Sequence, residues 1–90
     1  MLKSLNIKIP LRIANKMDEN GHLNPKYIGD LVAKHLDSAE GLDKPIEGLT
    51  FTYVFKIDGD LHTKVKIKAT EYGLNMNDLV GRIIQQYYKG

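Results

Sequence analysis

The sequence predicts a mainly α-helical domain carrying two β-strands. An alternating stretch followed by two helical stripes occurs twice, once in each half of the chain. The halves are joined by a segment rich in glycine, proline and acids, which reads as a linker over residues 38–49. Only two strands are in sight. A lone strand leaves its amides and carbonyls unpaired, so each needs the other, or a second copy of itself.

The second half, residues 50–90, carries the stronger signals. In "TFTYVFKI" Tyr53, Phe55 and Ile57 alternate with Thr52, Val54 and Lys56, which predicts a strand over residues 50–57. Asp58 or Asp60 can cap a following helix at residues 60–72, because a carboxylate accepts from free first-turn amides. Leu61, Val65, Ile67, Ala69 and Tyr72 are its expected inner face, and Gly73 is its stop. Asn75 or Asn77 then caps a helix over residues 76–88 with the stripe Leu79, Val80, Ile83, Ile84, Tyr87 and Tyr88.

The first half, residues 1–37, repeats this order. "SLNIKI" predicts a strand over residues 4–9, with Leu5, Ile7 and Ile9 on one face and Ser4, Asn6 and Lys8 on the other. Pro10 ends the strand and suits a first helical turn. A short helix over residues 11–20 turns Ile13, Ala14 and Met17 inward and stops at Gly21. Asn24 caps and Pro25 starts a helix over residues 25–37, striped by Ile28, Leu31, Val32 and Leu36. The halves overlay, with Leu5-Asn6-Ile7-Lys8-Ile9 on Tyr53-Val54-Phe55-Lys56-Ile57 and Leu23-Asn24 on Leu74-Asn75. The first helix of the first half is expected to be about one turn short.

The order strand, helix, glycine turn and "LNMNDLVGRIIQQYY" resembles the ribbon-helix-helix DNA-binding repressors, the family of the Arc, Mnt and MetJ repressors. The pattern Leu61, Val65, Ile67, Ala69, then Gly73, Asn75 and Asn77, carries the likeness over residues 50–88. "LNIKIP" in residues 4–37 is a weaker second copy, with the shortened helix as its departure. The resemblance implies a mainly α fold with a two-stranded antiparallel β-ribbon, whose inner face seals a core and whose outer face enters the major groove of double-stranded DNA. It also implies a transcriptional repressor or similar regulator of phage or plasmid type. By position, Thr52, Val54 and Lys56, with Ser4, Asn6 and Lys8, match the base-reading strand residues. Lysine can donate to guanine, asparagine can bind adenine in bidentate fashion, and valine can touch a thymine methyl. Valine departs from the family, which often places a hydrogen-bonding side chain there. The start of the last helix, Asn75, Met76 and Asn77, matches a phosphate clamp, with Asn24 and Lys26 as its first-half equivalents; helix N-termini attract anions.

Other chemistry is not in sight. The "DGD" at Asp58 lacks the glycine and the terminal glutamate of a calcium loop. His22, His35 and His62 lack metal-ligand spacing. No phosphate-binding glycine loop and no nucleophile-base pair is visible, so no enzyme, cofactor or metal is expected. With no cysteine, the chain suits a reducing cytoplasm. Its start is too short and alternating for a signal peptide, and no apolar run reaches the ~18 residues of a membrane span.

The net charge is +2, and residues 50–90 hold the whole excess. That is consistent with an anionic partner. Two assemblies follow: a ribbon formed between the two halves of one chain, or a homodimer of the second half. An alternative function is a protein-interaction module, antitoxin-like or accessory, whose first half with Asp37, Glu40, Asp43 and Glu47 grips a protein partner.

Overall fold

The computed structural model describes residues 1–38 and 40–89, so Ala39 in the linker and Gly90 at the end of the second half lie outside the described residues. The chain runs β1 (Leu2–Pro10), α1 (Leu11–Glu19), α2 (Pro25–His35), β2 (Thr50–Asp58), α3 (Gly59–Tyr72) and α4 (Met76–Tyr87). β1 and β2 pair antiparallel with each other, so the ribbon forms within one chain. Both strands run slightly beyond the alternating stretches: β1 starts at Leu2, and β2 ends at Asp58. The helix expected over residues 25–37 ends at His35, with Leu36 as its C-cap.

Alternation dictates the ribbon's two faces. Leu5, Ile7, Ile9, Phe55 and Ile57 are buried, while Tyr53 is half-buried and packs on the same core. Beneath them lie Ile13, Ala14 and Met17 of α1, Ile28 and Val32 of α2, Val65 and Ala69 of α3, and Leu79, Val80, Ile83 and Ile84 of α4. No polar or charged residue is buried among the described residues, so apolar burial holds this core together.

Each helix pair turns on the same device. Gly21 and Gly73 sit at φ +73° and +68°, the left-handed region that costs a glycine least. The next amide then reaches back five residues: His22 N donates to Met17 O at 2.7 Å, and Leu74 N donates to Ala69 O at 2.8 Å. Both are Schellman closures, which satisfy carbonyls at the helix end. α1 has 9 residues against 14 in α3, a little more than one turn shorter.

Two expectations for α3 are corrected. Ile67 is 56% exposed and Tyr72 is 45% exposed. At about 100° per residue, Ile67 lies some 200° from Val65 and so faces away from the core. Tyr72 is on the inner side by angle, but it sits in the last turn, where its ring rests under Lys68 Nζ, 5.6 Å from the centroid.

The linker is also more than a tether. Leu42 is buried and Ile46 half-buried. Arg82 of α4 donates from Nη1 to Leu42 O at 2.8 Å, and Gln85 donates from Nε2 to Pro45 O at 3.0 Å. The Glu47 amide donates back to Gln85 Oε1 at 3.0 Å, and the Glu40 amide to Tyr87 Oη at 2.8 Å. Glu40, Asp43 and Glu47 therefore lie on a segment laid along α4.

Two histidine-tyrosine stacks lie at opposite ends of α2, both packed on the tyrosines at the end of α4. His22 stacks on Tyr27 with centroids 4.0 Å apart, and its Nδ1 is 2.9 Å from the Tyr88 hydroxyl. His35 stacks on Tyr87 at 4.1 Å. Burial, and then the neighbouring Tyr88, push the Tyr27 phenol above its ordinary pKa. These two histidines are packing residues of the helix ends.

Candidate nucleic-acid interface

The ribbon's outer face is built by the residues that alternation leaves over. Ser4, Asn6, Lys8, Thr52, Val54 and Lys56 are all exposed. The register sets Ser4 opposite Lys56, Asn6 opposite Val54 and Lys8 opposite Thr52. Val54 is 62% exposed, a β-branched apolar side chain with no helix over it. Opposite side chains on a ribbon stand ~4.5–5.5 Å apart at Cβ, so the six form one continuous surface.

The start of α4 opens beside this face. Ser4, Leu5 and Asn6 of β1, His62 of α3, and Asn75, Met76 and Asn77 wall one groove of about 440 Å³. Asn75 holds the N-cap position, yet its side chain makes no cap hydrogen bond. First-turn amides of α4 are thus left without a side-chain acceptor, and the helix dipole favours an anion there. The first-turn carboxylate of Asp78 opposes this, but it is held by Arg82 Nη2 at 3.2 Å, one turn along the helix. Sequence reasoning placed His62 among scattered histidines. Only the fold brings this first-turn residue of α3 to the groove, and no local motif signals it.

The first-half counterpart is different. Asn24 Oδ1 accepts from the Tyr27 amide at 2.8 Å, and its Nδ2 donates to Gly21 O at 2.8 Å, so this side chain is committed to capping α2. Lys26 forms an exposed pair with Asp30 at 3.5 Å; such pairs contribute ~0–1 kcal/mol and leave the lysine available. Lys26 and Lys56 meet across a second groove of about 420 Å³, walled also by Pro25, Gly29, Asp30, Ala33, Ile57, Asp58 and Leu61. The structure thus brings together Ser4, Asn6, Asn75, Met76 and Asn77 on one flank and Lys26 and Lys56 on the other. Asn24 takes no part in either groove.

A glycine sets how closely α4 meets the ribbon. A Cβ on Gly81 would overlap the Lys8 carbonyl oxygen and lie 2.6 Å from Ile46 Cδ1. Gly29 of α2 meets nothing within 4 Å. So α4 is seated against β1, whereas α2 stands off β2 and leaves the second groove between them.

Among the described residues, no group of three or more His, Cys, Asp or Glu side chains is placed to hold a metal ion. No helix among them is long and apolar enough to cross a membrane. No protein-family model, no curated protein and no solved structure matches this chain.

Proposed function

We propose that this chain is a tandem ribbon-helix-helix protein, a pseudo-dimer folded from one polypeptide. In this reading it binds double-stranded DNA by laying its ribbon in the major groove and acts as a transcriptional repressor. The observation that carries the reading is the register. Asn6 and Val54 correspond when the two halves are aligned in sequence, and they are also paired across the ribbon. The local twofold relating the halves therefore passes through that pair. Ser4 and Thr52 are equivalent, and so are Lys8 and Lys56, and each serine or threonine faces the other strand's lysine.

A major groove ~12 Å wide admits a two-stranded ribbon and displays a distinct edge for each base pair. The exposed face supplies cations, hydroxyls, an amide and a methyl-bearing side chain, the groups that read those edges. Phosphates are held by the amides at the start of α4, with His62 beside them and Lys26 on the opposite flank. These contacts fix position and not sequence.

The test is binding of short duplexes enriched from a random pool, followed by fluorescence anisotropy across salt concentrations. The logarithm of affinity is expected to fall linearly with the logarithm of salt, with a slope of about −0.9 for each phosphate neutralised. Failure to bind any duplex at low salt, or a salt-independent affinity, sinks the reading. Either outcome favours the protein-interaction role.

A further inference from the structure

Among the six outward side chains the two halves are alike except at the centre; beyond them the row ends differ, Leu2 facing Asp58 and Pro10 facing Thr50. The two flanking pairs carry the same chemistry: Ser4 faces Lys56 in one, and Thr52 faces Lys8 in the other. At the twofold, Asn6 faces Val54. An amide and an isopropyl group cannot be exchanged by rotation, so the axis is broken at the point through which it passes. All six side chains are exposed, which leaves the mismatch on the surface and free of any packing role.

A·T is the base pair whose major-groove edge fits that mismatch. Across one A·T pair the groove shows adenine N7 and the N6 amino group on one side and the thymine C5-methyl on the other. Asparagine is the bidentate partner of adenine, and an apolar group is the partner of the methyl. The ~4.5–5.5 Å between opposed Cβ atoms suits two contacts on one pair's edge. G·C offers no methyl, and its guanine presents two acceptors where adenine has an acceptor and a donor.

Resting on the DNA-binding reading above, we propose that the protein selects a pseudo-palindrome with a polar centre. The flanks are read alike by the two lysine-hydroxyl pairs. The centre is a single A·T pair, read in one orientation by Asn6 on adenine and Val54 on the thymine methyl. Successive outward pairs are ~6.8 Å apart along the ribbon, so the flanking contacts lie at most about two base-pair steps from the centre, at ~3.4 Å per step. A homodimer of one strand sits on its site either way round. This chain sits in one direction, set by one base pair.

The chain has no cysteine, so a single one reports direction. Thr63→Cys is suitable: Thr63 is exposed on α3, on one side of the axis only. An iron chelate attached there cleaves DNA nearby. On the enriched duplex, cleavage is expected on one side of the centre. Replacing the central A·T by T·A, with flanks made symmetric, should leave affinity within about twofold and mirror the cleavage pattern. Replacing it by G·C should weaken binding about 10- to 100-fold, the usual effect of losing one good base contact. With Val54→Asn added, the central pair becomes symmetric, and cleavage should appear equally on both sides. Equal cleavage by the Val54 chain, a pattern that ignores reversal of the central pair, or enriched flanks unrelated by a twofold would each overturn the proposal while leaving duplex binding intact. If no duplex is enriched at all, the DNA-binding reading fails first.

Discussion

Gly81→Ala is expected to destabilise the fold by about 3 kcal/mol or more, the upper range for overpacking a filled site. The added methyl would enter the Lys8 carbonyl oxygen, and its other near neighbour is Ile46 of the linker. A backbone oxygen inside a two-stranded ribbon cannot swing aside like a side-chain tip. Relief would require α4 to lift from β1 and the linker to lift with it. For a domain of this size, 1 kcal/mol shifts Tm by ~4–8 °C, so a fall on the order of 12–24 °C is expected. Gly29→Ala is the matched control. It also lies inside a helix, but nothing stands within 4 Å of its added carbon. There the better helix propensity of alanine should stabilise by roughly 0.5–1 kcal/mol. Opposite signs in urea unfolding would support the asymmetric seating of α4 and α2. Equal, small effects would contradict it.

Lys8→Ala combined with Lys56→Ala is expected to weaken binding to the enriched duplex by about 30-fold to 10⁴-fold. The range follows from roughly 1–3 kcal/mol for each good base contact. Both side chains are exposed, so the unfolding midpoint should barely move. The salt response distinguishes two roles for these lysines. If they read base edges, discrimination between the enriched and a scrambled duplex falls and the salt slope holds. If they touch phosphates, affinity for both duplexes falls together and the slope loses about 0.9 per contact. The first outcome is expected, because the lysines lie on the same outward rows as Asn6 and Thr52.

The elements themselves were legible from short-range pattern. Alternation gave both strands and their faces, and Gly21 and Gly73 marked the two helix ends where the left-handed turn is needed. Boundaries moved because ladder pairing carries a strand as far as its partner runs: Leu2 is held by pairing with Asp58. Ile67 is apolar by type, but its angle on the helix puts it outside the inner stripe, and residue type alone misleads there.

The outward triplets were likewise legible as what alternation leaves over, and their opposition across the ribbon required the fold. The docked linker was not legible. Leu42 and Ile46 sit in a segment whose glycines, proline and acids read as loop, and loop chemistry says nothing about what the loop covers. Gly81 lies inside a helix, where glycine ordinarily destabilises, and only the nearness of Lys8 gives it a reason. His62 joined the groove through the packing of α3 beside α4, a contact between distant parts of the chain.

The central claim is that the outer ribbon face, formed within a single chain, is what meets DNA. Amide shift mapping by NMR, on titrating the labelled chain with its enriched duplex, tests it most directly. The predicted result is that Ser4, Asn6, Lys8, Thr52, Val54 and Lys56 shift most, together with Met76 and Asn77 at the start of α4, while the linker stays still. Shifts concentrated on the linker acids Asp43 and Glu47, with the ribbon amides unmoved, would contradict the account.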